Sequence, residues 1–590
     1  ANVVTRAGGD KWEVDFGSLL PSLRWRDGKI KGINSATPRV QVGGPLLEDK
    51  LWISQAVDYR FVRSRVYEDV VGEDEEIVEN FDSFTQLDWQ VNDAHSVTTT
   101  FSYFPVEIDN WGLSVLQPES ATPEFHSSGW NVAVAERAAT SSNTTWETMV
   151  AFKRYDVRVT PAGEGSSILG PDGLRANYFN AIDRDSAWLE LKSSVTHFLP
   201  SRFGEHVLKV GGHFSHATFD GMDESGVIET RGADGGLLRR TEFLGSPEVG
   251  ASDWVLAGFV QDEWRPTSQF GLDVGVRYDY ERITGKSHVS PRLSVAFSPW
   301  ADGGTILKGG WGTFYDHVFL HAGDFDSLQT RVETEFAADG EPAGPPLVFR
   351  NVIDPEGLDV PRTRIWNVEL NQALGEDWLV RGKYQERRGG REMVVDRLAD
   401  APTSPTLLLS SSGSSSAREF DVTVRRSLPS DGYLFFSYVK SRTSGHLNDF
   451  VTLYGDRRRP ILVENEDSLQ PFDVPHRFLA WGTINLSRGI TIAPGVEWRS
   501  GFPYTVFTED YEVVGERNRG GRFPTLFSAD ISVMKALTFK GKSFRVGFQI
   551  FNLTDHYNPR DVYSNQASAN FGQFADSVDF SIRARLGFDF

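Results

Sequence analysis

The 590-residue chain has no cysteine, no excess of basic charge, and no uninterrupted apolar run approaching the roughly 20 residues a membrane helix requires. Without cysteine, disulfides, thiolate nucleophiles and Cys-based metal sites are excluded together. Without a long apolar run, a helical crossing is excluded, and the remaining way to pair every backbone N–H and C=O inside lipid is a closed sheet. The formal charge of −21 argues against a nucleic-acid partner, because phosphates need clustered Lys and Arg. It suits large solvated loops instead. No nucleophile with a base, no metal centre and no paired carboxylates stand out, so no catalytic residue, resident metal or cofactor is expected and the chain does not read as an enzyme. His213 and His216 lie three apart on a predicted strand and so point to opposite faces. His317 and His321, with Asp316, Asp324 and Asp326, form one loop cluster that could hold a metal, and Glu73 to Glu76 form an acidic run too small for the six to eight oxygens of calcium. Solvated loop charge is the favoured reading of both. The sequence opens on Ala1 with no visible leader, which reads as a processed or trimmed product.

What the chain does have is alternation and aromatics. At its end, Val578, Phe580, Ile582, Ala584, Leu586, Phe588 and Phe590 fall on one side of an extended strand, while Asp579, Ser581, Arg583, Arg585, Gly587 and Asp589 fall on the other. One face suits lipid and the other water. The same period runs through Leu272 to Tyr280 and Phe544 to Ile550, placing Arg277 and Arg545 on the polar side. Short turns fall at Leu46–Asp49, Asn92–His95, Ala138–Asn143, Leu199–Glu205, Pro266–Gln269, Pro299–Gly303, Leu374–Asp377, Leu428–Gly432, Ser487–Gly489 and Thr538–Lys542. Between them run long links, including Thr160–Asp183, Phe219–Gly250, His317–Pro361, Gly390–Ser415, Gly445–Val474 and Gly501–Pro524. The spacing predicts an all-β transmembrane antiparallel barrel of about 22 strands, with both chain ends on the short-turn side. Short turns belong to the periplasm, so the long loops face the cell exterior. The 41 Phe, 16 Trp and 16 Tyr suit lipid-facing walls and interface girdles, with Trp89, Trp111, Trp130 and Trp300 placed near strand ends. The serine-rich stretch Ser410–Ser416 reads as a flexible outer-loop tip.

Several motifs in order resemble one family. Phe259-Val260-Gln261-Asp262-Glu263-Trp264-Arg265 followed by Val274-Gly275-Val276-Arg277-Tyr278, and Ser290-Pro291-Arg292-Leu293 leading to Gly309–Asp316, resemble mid-barrel hairpins of TonB-dependent receptors, particularly the Oar-like subgroup. Pro471-Phe472-Asp473-Val474-Pro475-His476-Arg477-Phe478, Arg499-Ser500-Gly501-Phe502-Pro503-Tyr504 and Gln549–Asp555 match further landmarks of that family. Residues 1–9 are similar to the end of its plug domain, which makes residues 10–590 the barrel. The resemblance implies a Gram-negative outer-membrane receptor that binds a ligand on its outer loops and imports it, or in Oar-like members exports it, through a plug-gated lumen. Implied partners are a plug polypeptide (a separate chain or a cleaved N-terminal part), the TonB complex acting through it, outer-membrane lipid with lipopolysaccharide, and the barrel-assembly machinery, whose signal Phe590 resembles. A barrel of about 22 strands is too wide for its own side chains to fill, so something must close it. Arg277, Arg545, Arg583 and Arg585 are the expected plug-facing groups. The alternative is a scaffold barrel that holds an outer-membrane complex together without transport; a passive porin is disfavoured by strand number.

Overall fold

The computed structural model describes residues 8–26, 29–65, 75–399, 401–455, 461–539, 542–578 and 580–589. Most of them belong to one ring of antiparallel ladders. In chain order the staves are Glu13–Gly17 with Ser22–Arg26, Lys29–Ala36 with Arg39–Leu47, Leu51–Arg65, Glu75–Asn92, His95–Tyr103 with Val106–Asp109, Pro123–Ser141, Thr144–Pro161, Asn180–Ser201, Gly204–Ser225, Glu248–Thr267, Phe270–Glu281, Lys286–Phe297, Thr305–Tyr315, Arg362–Leu374, Trp378–Leu398, Thr406–Leu428, Gly432–His446, Asp467–Leu469 with His476–Leu486, Ile490–Arg499, Leu526–Phe539, Lys542–Phe551 and Ser581–Asp589. These twenty-two staves each pair with the next. The last pairs back onto the first through Asp15↔Asp589 and Phe16↔Phe588, so the sheet closes without a free edge. Closure is what lipid demands of a sheet, since an unpaired edge there costs several kcal/mol per group.

Register fixes which face is which. Along one ladder row, Val134, Val150, Leu191, Phe214, Leu256 and Tyr280 stand opposite one another on successive staves. Another row runs Trp146, Val195, Val210, Val260 and Val276. Leu256, Val210 and Trp146 are each half exposed, although they are among the most apolar side chains of the chain. A soluble protein would bury them; a membrane barrel turns them to acyl chains. The alternate row carries Lys192, His213, Ala257 and Asp279 and faces the lumen.

Two boundaries limit the apolar band. Towards the short turns it ends in aromatics, with Trp89, Trp300 and Phe203 all at least half exposed. Towards the long loops it ends where outward charges begin, in the cross-strand pairs Arg154–Asp185 (3.3 Å) and Arg158–Asp183 (3.2 Å). From strand spacing and the usual tilt, twenty-two staves enclose a cylinder about 44 Å across, far wider than side chains can fill.

All ten expected short turns lie between staves, although 540–541 of the tenth fall outside the described residues. The expected link Gly390–Ser415 is much shorter than anticipated, because the strands run to Leu398 and resume at Thr406. Ser410–Ser416 is therefore ladder and not a flexible tip. Above the lipid a stave no longer needs an apolar outer face, so small polar residues continue it without penalty. Phe590, Asp579, residues 1–7, and Glu73 and Asp74 of the acidic run lie outside the described residues.

Candidate functional site

The lumen wall carries several cross-linked charge pairs. Arg277 lies on the inner face, donates from Nε to Asp279 Oδ1 at 2.8 Å, and places Nη2 3.2 Å from His213 Nδ1. His213 completes the chain by placing Nε2 3.0 Å from Glu190. Its sequence neighbour His216 pairs with Leu189 and Trp254 on the opposite, lipid-side row, as the strand period requires. Similar inward pairs join Lys308 to Glu369 (3.4 Å), Arg381 to Asp421 (2.6 Å) and Lys209 to Glu147 (3.7 Å). Arg583, Arg585 and Arg545 are inward too, on the two staves nearest the seam. The Arg585 Nε donates to the neutral Gln549 Oε1 at 2.9 Å, and the Arg583 guanidinium sits 5.2 Å from the Phe551 ring centre. Thus Arg277 is satisfied by the wall itself, whereas Arg583 and Arg585 meet neutral groups.

The chain reaches this wall from inside. Gly8 packs so closely on the inner side of Leu51–Arg65 that a Cβ there would lie 2.4 Å from the Ile53 carbonyl oxygen. Asp10 then accepts a hydrogen bond from the inward Trp52 Nε1 at 3.2 Å. Residues 8–10 therefore lie within the lumen, and the wall begins at Glu13.

Above the belt the long loops fold into a cap with its own cores. One core gathers Phe325, Phe349, Phe450, Val395, Leu407 and Leu409, all essentially inaccessible. The second unites Leu169, Leu174, Tyr178, Ile228 and Tyr511. A six-stranded sheet links three loops, pairing Gly173–Arg175, Ser167–Gly170, Ile228–Arg231, Leu237–Leu244, Thr330–Glu335 and Leu347–Val348. Contacts also cross the mouth. Tyr511, in the loop joining the nineteenth and twentieth staves, donates its hydroxyl to the Gly170 carbonyl at 2.6 Å. Gly170 belongs to the loop joining the seventh and eighth staves, ten staves away by the shorter arc of a twenty-two-stave ring, which is nearly diametric. Ser568 reaches Asp172 of that same loop at 2.5 Å. The mouth is bridged, not open.

Between these loops lies a cavity of about 290 Å³, lined among others by Trp111, Tyr178, Phe507, Tyr511, Asp561 and Asn565. Trp111 belongs to this cavity and packs tilted against Phe125, with ring centres 4.9 Å apart, so it is not a girdle residue. Trp130 packs on Phe152 along the outer wall. His317 and His321 address different carboxylates, Glu281 (3.6 Å) and Asp223 (3.6 Å) respectively, and so do not converge on one metal. The neighbouring Glu281 carboxylate holds the His317 imidazole above its ordinary value, against the opposing effect of burial.

The sequence landmarks prove to be fasteners of the outer rim. Asp473 is almost fully buried, accepts from the Thr443 N–H at 2.7 Å, and pairs with Arg522 at 2.5 Å. Arg522 also donates to the Asp473 and Gly501 carbonyls. Gly501 admits no side chain, since a Cβ would lie 1.8 Å from the Phe523 carbonyl oxygen. Asn552 donates to the His556 and Val578 carbonyls at 2.9 Å each, tying the last loop to its base. One fastener was invisible in the sequence. Arg517 donates to Asn448 Oδ1 (2.5 Å) and to the Glu464 carbonyl (3.2 Å), and burial lowers its guanidinium to about 10, which leaves it cationic at neutral pH. No local spacing signals a contact between loops 69 residues apart.

Residues 75–356 match the family described as TonB dependent receptor-like, β-barrel. Among curated proteins, the TonB-dependent transporter Oar of Myxococcus xanthus is 22% identical over 444 residues, covering 57% of this chain and 40% of Oar. The chain thus spans well under half the length of that relative. The outer membrane transporter YddB from Escherichia coli has the same fold over 98% of this chain and 81% of its own, with 13% identity and a TM-score of 0.67. The siderophore receptor PirA from Acinetobacter baumannii superposes over 99% of this chain and 81% of its own, with 14% identity and a TM-score of 0.70. A closed twenty-two-stave ring, an apolar belt, a cap of outer loops and these matches have one common reading: the chain is an outer-membrane β-barrel that resembles TonB-dependent receptors, with residues 75–356 matching the barrel of that family.

Proposed function

We propose that this barrel is the wall and outer vestibule of a TonB-dependent receptor that binds a ligand among its outer loops and passes it through a lumen gated by a plug. The observation that carries this reading is the pairing of a cylinder about 44 Å across, too broad for wall side chains to seal, with a mouth bridged by Tyr511 and Gly170. A passive pore gains nothing from a cap of that depth. A receptor does, because loops packed over the mouth both supply a binding surface and restrain entry. The cavity lined by Trp111, Tyr178, Phe507 and Tyr511 is the natural first contact for a ligand.

Residues 1–9 are the end of the plug and residues 10–590 the barrel in this reading; the placement of Gly8 inside the lumen supports the first part, and the wall proper starts at Glu13. The plug completes the gate and carries the TonB contact, so the inner-membrane proton gradient supplies the energy. The wall acts by binding and passage, without bond-making chemistry. Outer-membrane lipid and lipopolysaccharide surround the belt, and Phe590 is read by the assembly machinery. Import is the direction for the receptor class, with export the variant for Oar-like members. The test is conductance of the purified receptor in planar bilayers. Closure at rest, with opening when the plug is unfolded by mild urea, is expected; steady conductance without urea contradicts gating.

A further inference from the structure

We propose, resting on the outer-membrane barrel reading above, that the lipid-side wall of the fourteenth to seventeenth staves binds a phosphorylated glycolipid of the outer leaflet, with Arg364, Arg388, Arg418 and Arg442 as its phosphate contacts. The basis is a level row of like charge. Each of these arginines stands ten residues from the short-turn end of its stave, at Leu374, Trp378, Leu428 and Gly432 respectively. At about 2.5 Å of height per tilted residue they lie about 25 Å above those turns, where an apolar band ends. All four are exposed, and they share the outward parity of Trp366, Tyr384, Phe420 and Tyr438 on the same staves.

Register makes this row costly to the barrel alone. Arg364 stands directly opposite Arg388, and Arg418 directly opposite Arg442; like charges in such cross-strand positions repel. One carboxylate lies among them, Glu386, 2.7 Å from Arg388 Nε and 3.5 Å from Arg418 Nε. Arg364 and Arg442 have no carboxylate partner among the described residues, and Lys440 adds a further outward cation two residues from Arg442. The rim of the seventh stave is built differently, since Arg154 and Arg158 each meet an aspartate of the next stave. Guanidinium forks match phosphate oxygens bidentately. The outer two arginines of the row are three strand spacings apart, at least about 14 Å, so a ligand that touches the whole row carries separated phosphates.

The place selects a lipid over a soluble anion. On the belt side of the row, Trp366, Phe420 and Tyr438 are exposed and form its aromatic edge. A ligand with acyl chains gains apolar contact with the same staves that hold its phosphates, whereas a free phosphate keeps its hydration shell and gains little from an open wall. The chain carries a formal charge of −21, so it repels anionic head groups as a whole, and this row reverses the sign locally. Bound phosphates between Arg364 and Arg388, and between Arg418 and Arg442, turn two repulsive pairs into bridged ones.

The experiment measures glycolipid binding to the purified receptor by native mass spectrometry in detergent. It compares the wild type, an Arg364→Gln/Arg388→Gln/Arg418→Gln/Arg442→Gln variant, and an Arg154→Gln/Arg158→Gln control from the far side of the ring. The probes are an acylated disaccharide with two phosphates, its dephosphorylated form, and inorganic phosphate as competitor. Binding of the phosphorylated probe by wild type and control, about tenfold or more weaker in the fourfold variant and for the dephosphorylated probe, and unmoved by millimolar phosphate, supports the site. Equal binding by the fourfold variant, equal loss in the control, or equal binding of the dephosphorylated probe overturns it; displacement by millimolar phosphate assigns the row to a free anion and overturns the lipid. Heat-modifiable gel mobility keeps the two readings apart, because a folded wild-type barrel that binds no glycolipid overturns this site alone, while a wild type without that mobility overturns the membrane barrel as well. Should the fourfold variant fail to fold, a photoreactive residue replacing Ser416, which stands opposite Arg388, in the otherwise wild-type receptor decides the matter. Capture of glycolipid in outer membranes supports the site, and capture of protein or of nothing overturns it.

Discussion

Replacing Val260 with arginine places a guanidinium near the middle of the lipid belt. Val260 is 45% exposed on the outer face, between Val210 and Val276 on the neighbouring staves. It lies four residues from Trp264, near the short turns, which at about 2.5 Å of height per tilted residue is about 10 Å above that girdle. The side chain is not packed in a core, so its removal leaves no cavity, and the cost is that of the charge in lipid. Near the midplane that cost is about 2–4 kcal/mol, equivalent at about 1.4 kcal/mol per decade to a roughly 30- to 1,000-fold weaker folding equilibrium. Gln261→Arg, the next residue along the same stave, places the same charge in the lumen, where Gln261 is already exposed. Its stability should be within about 0.5 kcal/mol of wild type. Urea titration of both variants refolding into lipid vesicles gives the comparison. Equal destabilisation of the two, or a larger effect from Gln261→Arg, refutes the assignment of faces.

Three further outcomes follow from the rim. Arg522→Leu leaves the buried Asp473 carboxylate with its main cationic partner removed, costing about 3–5 kcal/mol locally, and should expose the loop around residues 447–475 to protease while the barrel stays resistant; an unchanged digest contradicts the fastener role. Gly501→Ala drives a methyl into the Phe523 carbonyl and should loosen the same rim, read as faster amide exchange at residues 500–525. His317 has a raised folded pKa, so its contribution is complete below the unfolded value of about 6.5 and is lost as pH rises through the folded one. Protection of residues 316–361 from proteolysis should therefore be greater at pH 6 than at pH 8.5, and His317→Gln should flatten that difference.

The staves were readable because lipid and water on two sides of one sheet impose a period of two, and each short turn is a local signal. Leu272 to Tyr280 and Ile582 to Leu586 declare their faces without reference to any other part of the chain. The cap was not readable. Its contacts join Tyr511 to Gly170 and Arg517 to Asn448 across long separations, and its apolar residues obey no simple period because they pack as an irregular soluble core. Ser410–Ser416 misled for a related reason, since composition suggests a flexible tip while the ladder on both sides holds the backbone extended. Trp111 was placed in a girdle by its position near a strand end, although it lines a cavity with residues of four other loops. The lumen arginines were identified by parity, but parity says nothing about partners. Only three-dimensional neighbours separate the matched Arg277 from Arg583 and Arg585.

The absence of cysteine makes single-site labelling clean, and spin labels placed one at a time along Phe270–Glu281 in lipid vesicles test the closed membrane barrel most directly. Oxygen collisions, which report acyl chains, should peak at Leu272, Val274, Val276 and Tyr278, while a water-soluble nickel complex should peak at Asp273, Gly275, Arg277 and Asp279. Absence of that alternation, or shielding of Val274 and Val276 from both probes, contradicts a wall with lipid on one side and lumen on the other.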